Sequence, residues 1–230
     1  MSVKMPDWQN IDAVIFDMDG TLVDSMHYWV TLPQDWFAAR NLPVPDDLEV
    51  ELGTLDLWQA STLLAEQYSP CGETTQQVYD EIQAKMDKHY AEDIPMWPGV
   101  KELLQALKAA GKPCCIATMT DRPQVETVLK THGIGEFFDF VLTTPEVGIG
   151  KERPEIFLQA AERFGCAPKR TLVVEDSRTA IRTALLAGFA VAVIPNPHYD
   201  YAPLAELAAD LQADFCFVSE FSNLLPVAKN

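Results

Sequence analysis

Basic residues are scarce in this chain: seventeen Lys plus Arg stand against 34 Asp plus Glu, a formal net charge of −17 over 230 residues. A nucleic-acid surface needs a basic stripe to displace counterions from the phosphates. None is present, so nucleic acid is not expected as a partner. The plain consequence of the acidity is solubility. Long apolar runs are also missing. None approaches the roughly 18 residues of a membrane span, and the longest, Ala184 to Ile194, is broken by Gly188. No membrane partner is expected. The opening Met-Ser-Val-Lys-Met-Pro-Asp-Trp lacks an apolar h-region, so no secretory signal is expected either. Five cysteines (Cys71, Cys114, Cys115, Cys166 and Cys216) form an odd set without C-x-x-C spacing. Cys114 and Cys115 sit in an apolar run and read as buried, reduced core residues. A cytoplasmic, disulfide-free protein is the expectation. The four histidines form no metal cluster, and no internal repeat or low-complexity segment is visible.

What is present is a regular alternation. The length fits one α/β domain plus a modest insertion. Ile11 to Asp17 is a short apolar run ending in acid, which suits a buried strand. Pro98 to Gly111 reads as a helix, with Val100, Leu103, Leu104 and Leu107 on one face. Lys112 to Thr118 is a second strand. Asp121-Arg-Pro-Gln124 opens a helix with an Asp cap, ending near Gly133. Phe138 to Thr143, Arg170 to Glu175, Phe189 to Ile194 and Ala213 to Val218 read as further strands. Pro154 to Phe164 and Ser177 to Gly188 read as helices. This pattern predicts an α/β fold with a doubly wound, mostly parallel sheet and a Rossmann-like core. Residues 25–95 break the alternation. Leu57, Ala60, Ser61, Leu63 and Leu64, then Val78, Ile82, Met86 and Tyr90, keep helical spacing, so this stretch reads as an all-helical insert. The expected division is a core of residues 1–24 and 96–230, with a cap over 25–95.

Open sheets of this class bind ligands beyond the carboxyl ends of their strands. Polar residues stand at several such ends. Asp17-Met-Asp19-Gly20-Thr21 follows the first strand, Thr118 ends the second, Lys151 lies in a Gly-rich loop after the third, and Glu175-Asp176 ends the fourth. Two carboxylates beside a glycine would by themselves suit an ordinary turn. Together with the other strand ends they point elsewhere. Asp17, Asp19, Glu175 and Asp176 are hard oxygen ligands of the kind Mg²⁺ takes. Thr118 offers a hydroxyl and Lys151 a point charge for a phosphoryl oxygen.

These residues resemble the haloacid dehalogenase-like superfamily. Its Asp-x-Asp-Gly-Thr signature matches Asp17 to Thr21, its Ser or Thr after an apolar strand matches Thr118, its loop lysine matches Lys151, and its acidic pair matches Glu175-Asp176. Met96-Trp-Pro-Gly99 and Leu185-Leu-Ala-Gly188 also look like the family. The ordered set runs from residue 11 to about 195. The length and the insert's place look most like the helical-cap subgroup, including beta-phosphoglucomutase-like phosphatases. The resemblance implies a Mg²⁺-dependent phosphatase acting on a small phosphorylated metabolite, as a monomer or weak homodimer. Asp17 would be the nucleophile and Asp19 the general acid and base. Thr118, Met119, Arg122 and Lys151 would hold the phosphoryl group. Asp17, Asp19 through its backbone carbonyl, Asp176 and Glu175 would hold the metal.

Some positions depart from the family or stay open. The related enzymes often run Pro-x-Pro-Asp after the lysine, where this chain has Glu152-Arg153-Pro154-Glu155. Arg122 reads either as a phosphate contact or as a surface residue at a helix start. The insert is poor in cations, with only Arg40, Lys85 and Lys88 between Ser25 and Pro95. The mutases of the subgroup look to carry an arginine after the glycine that here is Gly53, where this chain has Asp56. A carboxylate there disfavours a second phosphate, and with it the phosphomutase alternative. Asp56 itself reads as a site residue or as a helix-start residue. Trp29, Trp36 and Trp58 read as packing or as a stacking surface, and His27 and Tyr28 as cleft or hinge residues. A catalytically silent regulatory module is the remaining alternative, and the intact set of Asp17, Asp19, Thr118, Lys151 and Asp176 speaks against it.

Overall fold

The structure is a computed structural model that describes residues 6–52, 55–196 and 199–226. It divides into two compact units: Met1–Asp24 with Pro95–Asn230, and Ser25–Ile94.

The first unit is built on six parallel strands: β1 (Ala13–Phe16), β2 (Cys114–Thr118), β3 (Phe140–Thr143), β4 (Thr171–Glu175), β5 (Ala190–Val193) and β6 (Phe215–Phe217). Their order is β3-β2-β1-β4-β5-β6, all neighbours parallel. The expected doubly wound α/β core is therefore present, with its reversal of strand order between β1 and β4. Every residue of β1, β2, β4 and β5 is buried. Helices cover both faces of such a sheet, which is why these segments read as continuous apolar runs instead of alternating ones. On one face, Ile15, Val173 and Val191 pack with Phe157, Ile181 and Phe189. Each such side chain contributes roughly 1.5–3 kcal/mol by leaving water.

The helices of this unit are numbered with those of the insert in chain order, so they begin at α5 (Val100–Ala109) and α6 (Arg122–His132). A short α7 (Thr144–Val147), α8 (Glu155–Phe164), α9 (Arg178–Leu186) and α10 (Ala202–Asp210) follow. The four apolar residues expected on one face of α5 are all buried. This helix starts later than its proline suggested. Gly99 takes the N-cap place at φ 87°, where an added Cβ would meet the Phe221 Cβ at 3.1 Å, so backbone freedom and close packing both call for glycine. Strand β3 also starts later, because Gly135–Phe137 forms a 3₁₀ turn first. Asp121 holds the N-cap place of α6 with an extended backbone but no capping hydrogen bond from its side chain. Cys114 and Cys115 are buried on β2 as expected, and burial pushes the Cys114 thiol up to about 12.

The second unit holds α1 (Met26–Ala39), α2 (Leu48–Leu52), α3 (Leu57–Leu63) and α4 (Thr75–Glu92), with a π turn over Leu64–Tyr68. No strand occurs in it among the described residues. Thr74 and Gln77 form a capping box that starts α4. Val78, Ile82, Met86 and Tyr90 then bury one stripe of that helix. Arg40 ties α1 to the α4 side of the unit. It bonds Glu73 and Glu81, the latter at 2.6 Å, while its guanidinium lies 4.0 Å from the centre of the Trp36 ring. No helix among the described residues is long and apolar enough to cross a membrane.

Candidate active site

The site grows from the turn after β1. The Asp17 amide donates to the Val174 carbonyl at 3.0 Å, so β1 and β4 deliver Asp17 and Glu175 side by side. Gly20 then takes φ 76°, and the amides of Thr21 and Leu22 fold back on the Met18 carbonyl at 3.3 and 2.8 Å. A side chain at Gly20 would strain that turn. The turn leaves Asp17 only 6% exposed, while Asp19 lies nearer the surface.

Lys151 reaches the same point from the loop after α7. The residue is 4% exposed, and its ammonium donates to Asp17 Oδ1 and to Glu175 Oε1, the second at 2.7 Å. The other Glu175 oxygen accepts from the amides of Asp176 (2.7 Å) and Ser177 (2.8 Å). Both ends of the Glu175 carboxylate are thus occupied in holding Lys151 and shaping the turn at Asp176. Tyr201 braces that turn from behind. Its hydroxyl donates to the Asp176 carbonyl at 2.7 Å and accepts from the Asn196 amide at 3.1 Å.

Asp17, Glu175 and Asp176 each offer an oxygen within 4.8 Å of the others, all three buried. Three carboxylates face one lysine, which leaves a deficit of positive charge in a place with little water. Burial, and then the charges of Glu175 and Asp19, push Asp17 up to about 8 despite Lys151. Asp176 is raised well above the ordinary range for the same reason, burial first and then Glu175 and Asp17. Burial opposes the charge on Lys151, but Asp17 and Glu175 outweigh it and its ammonium is held firmly. A metal ion among these oxygens fits the charge deficit, so the cluster can hold one.

This imbalance has a measurable consequence. Stripped of divalent metal, the protein is expected to lose stability as pH rises from about 4 to about 8. Unfolded, an aspartate releases its proton near 3.9, whereas native Asp17 keeps its proton to about 8. Through that window the native state binds more protons, so stability falls with rising pH. Carboxylates held low by cations, such as Glu73 beside Arg40, act in the opposite sense but finish titrating at lower pH. Thermal melts in chelator from pH 5.5 to 8 should therefore show a falling Tm, and a divalent salt should restore most at the alkaline end. A chelated Tm that climbs toward pH 8 would refute this reading of the cluster.

Thr118 ends β2, is buried, and accepts from the Thr120 amide at 3.2 Å. Accepting uses a lone pair of its hydroxyl and leaves the O–H able to donate. Met119, expected at the phosphate site, is 40% exposed on the same loop. Arg122 is different. Its guanidinium pairs with Glu146, through NH2 at 2.6 Å, and donates to the Val141 carbonyl at 3.0 Å. It bridges α6 to β3 and α7 through this ion pair and carbonyl bond, the arrangement expected of a residue at a helix start.

Other open positions fall into place within the helical unit. Asp56 caps α3, its carboxylate accepting from the Gln59 amide at 2.8 Å while the Gln59 side-chain oxygen accepts from the Asp56 amide at 3.1 Å. Gly53 lies outside the described residues. Trp36 is core, Trp29 is half-buried and donates to the Tyr90 hydroxyl at 3.2 Å, and Trp58 is 48% exposed beside Tyr79. His27 is exposed against the edge of Tyr28. Two residues of the core site are not marked out by any sequence motif. Tyr201 has no signal, and Thr120 has only its place two residues beyond Thr118. Its hydroxyl donates to Asp19 Oδ2 at 2.5 Å.

Comparison with known proteins agrees with this geometry. Residues 11–188 match the family model of haloacid dehalogenase-like hydrolases. The chain is 30% identical to phosphoglycolate phosphatase of Escherichia coli, covering 96% of this chain and 94% of that protein. It is also 30% identical to the bifunctional riboflavin kinase/FMN phosphatase of Arabidopsis thaliana over 80% of this chain, and it spans about half (48%) of that longer protein. In fold it is similar to CbbY from Rhodobacter sphaeroides in complex with phosphate, with a TM-score of 0.76, 24% identity, and 93% and 96% of the two chains covered. With the family match running through β1, β2, Lys151 and β4, the chain belongs to the haloacid dehalogenase-like hydrolases.

Proposed function

We propose that this phosphoric monoester hydrolase cleaves a small phosphomonoester in two displacements through an aspartyl-phosphate on Asp17. The observation that carries the reading is the buried Asp17 carboxylate at the end of β1, held by Lys151 beside an acidic cluster short of positive charge. In the first step a carboxylate oxygen of Asp17 attacks phosphorus in line. The bond to the leaving oxygen breaks, and that oxygen takes the electron pair and a proton from Asp19. In the second step water attacks the phosphoryl group and gives its proton back to Asp19. The bond to Asp17 breaks, phosphate leaves, and both aspartates return to their starting states.

Lys151 and the Thr118 hydroxyl hold phosphoryl oxygens, and the first amides of α6 face negative charge favourably. The Asp17 and Asp176 carboxylates and the Asp19 backbone carbonyl, with Glu175 beside them, would hold Mg²⁺, which would supply positive charge against the phosphoryl group. Glu175 acts mainly by fixing Lys151 and the Asp176 turn. The Ser25–Ile94 unit serves as the cap that selects substrate. Its residues speak against a phosphomutase that grips a second phosphate, because Arg40 and Lys85 are engaged by glutamates and Asp56 caps a helix.

The test is phosphate release with Mg²⁺ from a panel including 2-phosphoglycolate, FMN, hexose phosphates, a beta-hexose 1-phosphate and pyrophosphate. Free phosphate that requires both Mg²⁺ and Asp17 is the expected result. Isomerised sugar without free phosphate would move the protein to the mutases. Silence across the panel would count against the hydrolase.

A further inference from the structure

We infer that Thr120 is a positioning residue for the acid–base aspartate: its hydroxyl sets the rotation from which Asp19 exchanges protons with the leaving oxygen and the attacking water. The inference rests on the phosphatase reading above and adds a residue to it.

Strands β1 and β2 are parallel neighbours, with Phe16 opposite Ile116, so the loops beyond them leave the sheet side by side. Thr120 lies in the second loop, 7% exposed, and its hydroxyl donates to Asp19 Oδ2 at 2.5 Å across 101 residues of sequence. A buried hydroxyl needs a partner, and this one has a carboxyl oxygen that can accept even while the other oxygen carries a proton. The last torsion of an aspartate side chain is broad, so an unanchored carboxylate samples many rotations. Threonine is stiff at χ1 because it branches at Cβ. A stiff donor on one oxygen therefore fixes the plane of the Asp19 carboxylate. It also marks Oδ2 as the accepting oxygen and leaves the transferable proton to Oδ1.

The Thr120 amide meanwhile donates to the Thr118 hydroxyl at 3.2 Å. One residue thus orients both the group that protonates the leaving oxygen and the hydroxyl that meets the phosphoryl group. The backbone bond survives any side-chain change at position 120. Substitutions there leave this backbone donor in place and act first on the Asp19 link.

The experiment compares kcat/KM, which reports the steps up to departure of the leaving group, over a series of substituted phenyl phosphates. A good leaving group such as 4-nitrophenolate departs without a proton, whereas unsubstituted phenolate benefits from one. General acid catalysis is worth about 10²–10⁴-fold when the acid is aligned. Thr120→Val should therefore lower kcat/KM for phenyl phosphate by about ten-fold more than for 4-nitrophenyl phosphate, steepening the dependence on leaving group. Thr120→Ala, which removes the hydroxyl without adding bulk at the buried site, should show the same steepening. Thr120→Ser, which keeps the hydroxyl, should return the slope toward that of the unaltered protein. An equal loss along the whole series, or a serine variant as steep as valine, would overturn the role given to Thr120. Failure of the unaltered protein to hydrolyse any member would instead strike the phosphatase reading itself.

Discussion

Asp17→Asn is expected to reduce phosphate release by about 10⁴-fold or more, with the fold unharmed. Asparagine matches aspartate in size but offers a poor nucleophile, so the first displacement has no attacking group. Stability should not suffer. Asp17 is buried in a cluster where carboxylates outnumber cations, and burial already disfavours its charged form. A neutral amide stands in for the protonated form that Asp17 keeps to about pH 8 without metal, and it keeps an oxygen for Lys151 to donate to. In chelator the variant should melt at or above the temperature of the parent, and a divalent salt should raise its Tm by less, because one ligand is gone. Loss of activity with an intact melt separates chemistry from folding. Substantial turnover by the variant would remove Asp17 from its role.

Lys151→Met should damage stability as well as activity. The ammonium is the partner of both Asp17 and Glu175 and is almost wholly buried. Methionine fills a similar volume with no charge. Removing one side of a buried ion pair costs about 3–5 kcal/mol because the remaining charge is left uncompensated. That is a large share of the roughly 5–15 kcal/mol that holds a typical domain together. The loss should shrink in Mg²⁺, which supplies charge of the missing sign. Turnover should fall by on the order of 10²–10³-fold through lost stabilisation of phosphoryl charge. Urea titrations at pH 7 in chelator and in Mg²⁺, beside initial rates, check both parts. A variant as stable as the parent in chelator would show that Lys151 is not the counter-ion of the cluster.

Much of this protein was readable before any coordinates. Strands β1, β2, β4 and β5 announced themselves because a parallel sheet covered on both faces makes each strand an unbroken apolar run. The polar residue that ends such a run then stands at the ligand end of the sheet, which is how Asp17, Thr118 and Glu175 could be picked out singly. The stripe Val78, Ile82, Met86 and Tyr90 was readable for the same reason, since a helix repeats every 3.6 residues. Local rules were less exact at edges, where Gly99 delays α5 and a 3₁₀ turn delays β3.

Residue by residue, then, the sequence determined the periods, the buried faces and the chemistry waiting at each strand end. Only the tertiary structure decided which of those ends meet. The bond from Thr120 to Asp19, the grip of Lys151 on both Asp17 and Glu175, and the support of the Asp176 turn by Tyr201 all depend on strand order. Arg122 likewise reads two ways in sequence, and the fold sets Glu146 beside it. Periodicity is a property of neighbours along the chain, whereas a hydrogen bond across 101 residues is a property of how the sheet is assembled.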